Sequence, residues 1–205
     1  MLTIALPKGR IGEDSLALFE KIFGMEFRFG ERKLILEQGD FRFLRVRNQD
    51  VPTYVYHQAA DLGVVGLDVL EEHDLDLVRL MDLGFGKCSV SIGIKADETL
   101  DFSKPLYRVA TKMENITRKF FSQKAIPVEI IKLYGSIELA PLVGLADMIV
   151  DIVETGETMR QNGLKPALDI MQSSAYLIAN KNSFFSKKEK ILELRTLLEG
   201  ALRGS

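Results

Sequence analysis

Two groups of residues in this chain have the chemistry to handle phosphate, and they lie far apart in sequence. The first is a turn, "DIVETGETM", Asp151 to Met159, where an apolar run delivers an acid and then passes through Glu154-Thr155-Gly156-Glu157-Thr158. Backbone amides in such a turn point the same way, Gly156 permits close approach or positive φ, and Thr155 and Thr158 offer hydroxyl donors. A helix starting there adds the positive end of its dipole. Asp151, just upstream, is placed to accept hydrogen bonds from a ribose. The same composition also suits an ordinary capped helix start, with Thr155 or Thr158 bonded to its own backbone. Glu154 and Glu157 repel a phosphate unless their carboxylates turn away.

The second group is cationic. Lys8, Arg10, Arg28, Arg32, Lys33, Arg42, Arg45 and Arg47 fall within the first fifty residues, whereas Arg79 is the only lysine or arginine from Val51 to Asp82. In the strand pattern from Phe41 to Arg47, Arg45 and Arg47 share parity with Phe41 and Phe43, so they hold the core-side register as the strand runs out. Lys8, Arg10 and Arg47 sit at strand-to-loop exits, where charge-assisted or bidentate bonds suit a polyphosphate. Arg28, Arg42 and Arg45 are better read as surface ion pairs with the interleaved Glu26, Glu31 and Glu37.

Other chemistries lack their parts. Two histidines and one cysteine, Cys88, supply no zinc cluster and no disulfide framework. Neither a Gly-x-Gly-x-x-Gly nor a Walker lysine loop occurs, and Gly135-Ser136-Ile137-Glu138 is not a nucleophile elbow. A charge of −2 over 205 residues gives no global attraction to nucleic acid or anionic lipid. The opening "MLTIALPKGR" does not read as an export signal, and no apolar run reaches the roughly 18–20 residues of a membrane span. A cytoplasmic protein with no membrane and no nucleic-acid partner is expected.

The elements that must position these groups read as α/β. "LTIAL" is a strand, a Lys8 loop follows, and "GEDSLALFEKIF" has helical spacing. Asp50 is a plausible cap for a helix with Pro52 in its first turn. "AADLGVVGLDVLEE" has a counterpart in "LADMIVDIVETGET", and the units before each also correspond, with Lys112 in the place of Lys8. The spacing thus predicts two similar lobes with mostly parallel sheets around a cleft. Lobe I is 1–90 plus 178–205 and lobe II is 91–177. A closing helix with Ile191, Leu194 and Leu198 on one stripe is expected to stop before Gly200.

Six motifs in order, "ALPKGR", "VRNQDVPTYV", "ADLGVVGLDVL", "RVATK", "GSIELAPLVGLAD" and "DIVETGET", resemble the short form of ATP phosphoribosyltransferase over essentially the whole chain. The resemblance implies a fold like type II periplasmic binding proteins. It implies transfer of the phosphoribosyl group of 5-phosphoribosyl 1-pyrophosphate to N1 of the adenine of ATP, with release of pyrophosphate, as the first step of histidine biosynthesis. By the same resemblance Thr155, Gly156, Glu157 and Thr158 cradle the 5-phosphate and Asp151 handles the ribose. Lys8, Arg10, Arg32 and Arg47 stand near the pyrophosphate and the ATP phosphates. Asp68, Thr111 and Glu138 are weaker nucleotide or ribose contacts, with helix capping a serious alternative for Glu138, and Glu154 has only a backbone role. Mg2+ would arrive bound to substrate phosphates, with no dedicated protein cage. With no room for the long form's regulatory domain, a homodimer within a hetero-oligomer is expected, the partner being a histidyl-tRNA-synthetase-like regulatory subunit. A binding module on the same fold would explain the lobes but not the phosphate turn. A salvage enzyme for free bases would carry two adjacent acids, whereas Asp151 is followed by Ile152.

Overall fold

The computed structural model describes residues 1–204. The chain begins with β1 (Leu2–Pro7), α1 (Arg10–Phe23), β2 (Ile35–Gln38), β3 (Phe41–Val46), α2 (Val51–Tyr56), β4 (Leu62–Gly66), α3 (Leu67–His73) and β5 (Val78–Asp82). It continues with β6 (Cys88–Lys95), β7 (Tyr107–Thr111), α4 (Glu114–Gln123), β8 (Val128–Lys132), α5 (Leu139–Leu142), β9 (Met148–Val153), α6 (Glu157–Gln161) and β10 (Leu164–Ser173). It closes with β11 (Ala175–Ala179), α7 (Lys181–Ser186) and α8 (Lys188–Arg203). Two compact units result: Met1–Gly86 with the segment from Ser174 onward, and Lys87–Ser173. Both changes of unit come a few residues earlier than the sequence suggests. The physical reason is strand continuity, since β6 pairs from Cys88 and β11 from Ala175, so each crossing must precede its strand.

The first unit holds a six-stranded sheet in the order β2-β3-β1-β4-β11-β5, and the second a five-stranded sheet in the order β10-β6-β9-β7-β8. β1 is parallel to β3 and β4, and β7 is parallel to β8 and β9. The pairs β2–β3, β4–β11, β11–β5, β6–β9 and β6–β10 are antiparallel. The sheets are therefore mixed rather than mostly parallel. Strand–helix alternation governs only the two parallel triplets; β2 turns into β3 through Gly39-Asp40, too short a link for anything but an antiparallel return.

The expected duplication is present as topology. Strand for strand, β3-β1-β4-β11-β5 corresponds to β8-β7-β9-β6-β10 with the same directions. The two Ala-Asp pairs that suggested it do the same job. The Asp61 N–H donates to the Thr3 carbonyl at 2.8 Å while its carboxylate accepts from the Thr3 N–H at 2.9 Å. Asp147 repeats this with Arg108, at 2.8 Å both ways. Each carboxylate is also bound by a lysine, Lys187 at 2.8 Å for Asp61 and Lys104 at 3.0 Å for Asp147. These brackets tie the start of β4 to β1 and the start of β9 to β7, setting the register of both parallel triplets.

Burial alone would raise both carboxyl pKa values, but the partners win. Lys187, the Thr3 amide and the Ser183 hydroxyl hold Asp61 below the ordinary value of 3.8, and the Arg108 amide with Lys104 does so for Asp147. A carboxyl with a lowered pKa in the folded chain adds stability above its unfolded pKa, and that stability is lost as pH falls through the lowered value. Asp61→Asn is expected to cost about 1 kcal/mol near neutral pH, because the carboxylate gives up its charge-assisted bond to Lys187, whose side chain is 38% exposed and partly screened by solvent. In urea titrations the gap from the parent protein should close below the unfolded value of 3.8. A gap independent of pH would refute the ionic bracket.

Under the first sheet lies an aromatic core. Phe41 and Phe43 project from β3 onto Phe19 of α1 at ring-centroid distances of 5.3 and 5.2 Å, both edge-on. Asp50 precedes α2 as expected and Pro52 lies in its first turn, but the Asp50 side chain makes no capping bond. Ile191, Leu194 and Leu198 are the buried stripe of α8. That helix does not stop before Gly200. A helical glycine costs about 1 kcal/mol, and Ala201 and Leu202 just beyond it pack on the core.

Candidate functional site

In the first unit the chain leaves β1 at Pro7 and enters α1 through Lys8 and Gly9. Gly9 has φ 90, a backbone region that favours glycine. Gly12 passes so near the end of β1 that a Cβ there would meet the Pro7 carbonyl oxygen at 2.0 Å. The Lys8 N–H donates to the Val46 carbonyl at 2.9 Å, so the exits of β1 and β3 are held side by side. Beside them is a depression of about 450 Å³ whose lining includes Lys8, Glu13, Phe29, Arg32, Lys33 and Arg45. Arg32 is held at φ 57, an unusual conformation for a side chain of its size.

Lys8 and Arg32 therefore converge. Arg10 stands at the first position of α1, and Arg47 follows β3, exposed, its carbonyl accepting from the Asp50 N–H at 2.9 Å. Arg28 pairs with Glu26 at 3.1 Å and Arg42 with Glu37 at 3.2 Å, as surface ion pairs should. Arg45 departs from that reading. Its guanidinium lies 4.2 Å from the Phe29 ring centroid and the residue lines the basic depression, because its core-side parity carries it over Phe29 just where the strand ends. Asp68 lies in the first turn of α3 and is only 4% exposed, so it offers little surface to a ligand.

In the second unit a depression of about 340 Å³ is lined by Glu138 and every residue from Asp151 to Met159. Gly156 takes φ 75, and its carbonyl accepts from the Arg160 N–H at 3.1 Å. The helix that follows, α6, has five residues, so its dipole is small. The Thr155 hydroxyl accepts only a long bond from the Glu157 N–H, 3.4 Å. The Glu157 carboxylate is turned along the helix, taking bonds from Arg160 at 3.2 Å and Gln161 at 3.1 Å. Arg160 also donates to the Thr155 carbonyl at 2.8 Å. Sequence reasoning missed Arg160, although the Glu-x-x-Arg spacing was a visible signal.

Asp151 accepts from the Ile152 N–H at 2.8 Å and pairs with Lys112 at 3.0 Å. Lys112 follows β7 as Lys8 follows β1, a second basic residue at a strand exit. Glu138 precedes α5 without a capping bond and lines the depression, so capping does not occupy it. Glu154 lines the same wall. Two residues before Glu138, Ser136 is held at φ 49. Thr111 is not available to a ligand. Its side chain is fully buried, donating to the Val150 carbonyl at 2.7 Å and accepting from the Met113 N–H at 2.9 Å.

A further depression of about 490 Å³, with Met1, Phe23, Met25 and Leu197 in its lining, lies at the other ends of β1 and β3 and is mainly apolar. Among the described residues no helix is long and apolar enough to cross a membrane.

Residues 47–200 match the family described as ATP phosphoribosyltransferase. The chain is 80% identical over 205 residues to the ATP phosphoribosyltransferase of a Nitratiruptor species, covering 100% of both chains. It is similar to a chain of the ATP phosphoribosyl transferase (HisG:HisZ) complex from Thermotoga maritima, with 32% identity, a TM-score of 0.87 and 100% of each chain covered. With the periplasmic aliphatic sulphonate binding protein SsuA from Escherichia coli it shares 14% identity and a TM-score of 0.62 over 98% of this chain and 72% of that one, a likeness of fold alone.

Proposed function

The chain belongs to the ATP phosphoribosyltransferase family, and on that premise we propose how its residues divide the work of the reaction. The activity is pentosyl transfer in histidine biosynthesis. N1 of the adenine of ATP attacks the anomeric carbon of 5-phosphoribosyl 1-pyrophosphate, the bond from that carbon to the pyrophosphate oxygen breaks, and the electron pair leaves with pyrophosphate. Adenine N1 brings its own lone pair, so no side chain has to remove a proton before attack.

The observation that carries this division is the turn from Asp151 to Thr158, every residue of which lines one depression. Thr155, Gly156, Glu157 and Thr158 hold the 5-phosphate, mainly through backbone amides and the Thr158 hydroxyl. Asp151 and Glu138 receive the ribose hydroxyls, with Lys112 orienting Asp151. Lys8 and Arg32, joined by Arg45 and Lys33 in the basic depression, meet the charge that grows on the departing pyrophosphate. Arg10 and Arg47 flank that depression in sequence and serve the ATP phosphates. Asp68 has a minor role at most, and Glu154 contributes backbone only.

A hard cation such as Mg2+ would travel with the substrate phosphates and keep few protein ligands, with Glu138 and Asp151 the carboxylates of the depression beside it. When bound, it would neutralise charge on the pyrophosphate. The similarity to a chain of the HisG:HisZ complex supports a HisZ-type regulatory partner, with this chain as a homodimer within the hetero-oligomer. ATP as co-substrate supports a cytoplasmic location.

The test is pyrophosphate release from 5-phosphoribosyl 1-pyrophosphate and magnesium, offered either ATP or free adenine, with and without a purified HisZ-type partner. Release that depends on ATP, alone or only with the partner, is expected. Release driven by free adenine, or tight ligand binding with no release, would overturn the proposal.

A further inference from the structure

We infer that Arg160 is a positioning residue for the phosphate turn, acting by holding the Glu157 carboxylate away from the bound phosphate. This rests on the reading of that turn as the 5-phosphate cradle. The difficulty it resolves is electrostatic. A carboxylate inside a four-residue phosphate loop repels a dianion unless something neutralises it and fixes its direction.

One guanidinium does both. Arg160 donates to the Glu157 carboxylate through Nε at 3.3 Å and Nη2 at 3.2 Å, and through Nη2 to the Thr155 carbonyl at 2.8 Å. It also passes close beside Gly156, where a Cβ would meet Nη1 at 3.0 Å. A single side chain thus touches three consecutive residues of the turn. Binding the Thr155 carbonyl pulls that oxygen, a second repelling group, to the guanidinium side. Gln161 takes the other carboxylate oxygen of Glu157 at 3.1 Å and completes the restraint.

Stability does not account for the arrangement. The Arg160 and Glu157 side chains are 54% and 57% exposed, and exposed pairs of this kind contribute little to folding. Their placement matters where a charged ligand arrives, because desolvation by that ligand strengthens every charge beside it.

The test is steady-state kinetics on a set of variants in the intact chain, with the HisZ-type partner present if activity needs it. Arg160→Ala is expected to raise KM for 5-phosphoribosyl 1-pyrophosphate about tenfold, leaving kcat and KM for ATP within about twofold. Glu157→Gln should lower that KM below the parent value. The decisive variant is the double one: Arg160→Ala with Glu157→Gln should return to within about threefold of the parent, since the repelling charge is gone. If Arg160 only braced the Thr155 carbonyl, the double variant would stay as weak as Arg160→Ala, and the inference would fall. Arg160→Gln, which retains a donor for Thr155 and loses the charge, should resemble Arg160→Ala; thermal midpoints for all variants guard against misfolding. Thr158→Val separates the two levels of the argument. Should it raise the KM while Arg160→Ala does not, the positioning role is overturned and the cradle stands; should it leave the KM unchanged, the cradle is overturned together with this inference.

Discussion

Lys8→Ala is expected to lower kcat for pyrophosphate release about a hundredfold while changing the substrate KM values by no more than about threefold. The reasoning starts from where charge appears. In the ground state the pyrophosphate is already anionic and well solvated, so a lysine near it adds little. As the glycosidic bond breaks, a further negative charge collects on the leaving oxygen, and a cation fixed beforehand meets it without reorganisation. The Lys8 backbone is fixed in this sense, tied to Val46 at 2.9 Å, and the residue lines the basic depression with Arg32, so its cation stands within reach of that charge. Arg47→Ala should show the same signature, turnover falling more than binding, but more weakly, since Arg47 is not among the residues lining the basic depression. A raised KM with unchanged kcat would mean that Lys8 grips substrate and transition state alike.

The second large effect is on the fold, and activity falls with it. Gly12→Ala is expected to destabilise the chain by about 3 kcal/mol or more. Its Cβ would meet the Pro7 carbonyl oxygen at 2.0 Å, and a backbone atom cannot rotate aside as a side-chain tip can. To admit the methyl group, α1 must lift from the end of β1, disturbing Ser15, Leu18 and Phe19 on its buried face and moving the Lys8 loop. Gly200→Ala is the contrasting control. It also lies within a helix, but nothing lies within 4 Å of its Cβ, so it should stabilise by up to about 1 kcal/mol. Chemical denaturation of the two variants checks the pair. Equal behaviour would show that the contact at Gly12 relaxes freely.

What could be read in the chain beforehand divides along physical lines. The duplication was legible because the Ala60-Asp61 and Ala146-Asp147 pairs do one identical local job, and local jobs leave local sequence. The mixed character of the sheets was not, because the antiparallel neighbours β11 and β6 are set by which strand ends are left open, a global outcome. The turn from Asp151 to Thr158 was visible in its own residues. Thr111 was offered by the resemblance alone, and its hydroxyl is spent on the Val150 carbonyl, a partner that only the pairing of β7 with β9 supplies. Arg45 misled in the opposite direction. Alternation put it on the right face, but only the fold brings Phe29 beneath it. Gly200 reads as a helix stop until tertiary packing beyond it is known.

The interrupted first unit also sets an order of events on the ribosome. β11 lies between β4 and β5, and β5, at the sheet's edge, has β11 as its neighbour. Until Ala175–Ala179 emerges, β4 carries an open edge and β5 has no strand to join. Lys187, which closes the Asp61 bracket, comes later still. The segment Lys87–Ser173 is by contrast complete in itself and can close while the beginning of the chain still waits. Vectorial synthesis ordinarily favours the amino-terminal domain. Here the part made first is finished last, and its unsatisfied strand edge, an invitation to pair with the wrong chain, persists for as long as the ribosome takes to cross the inserted unit.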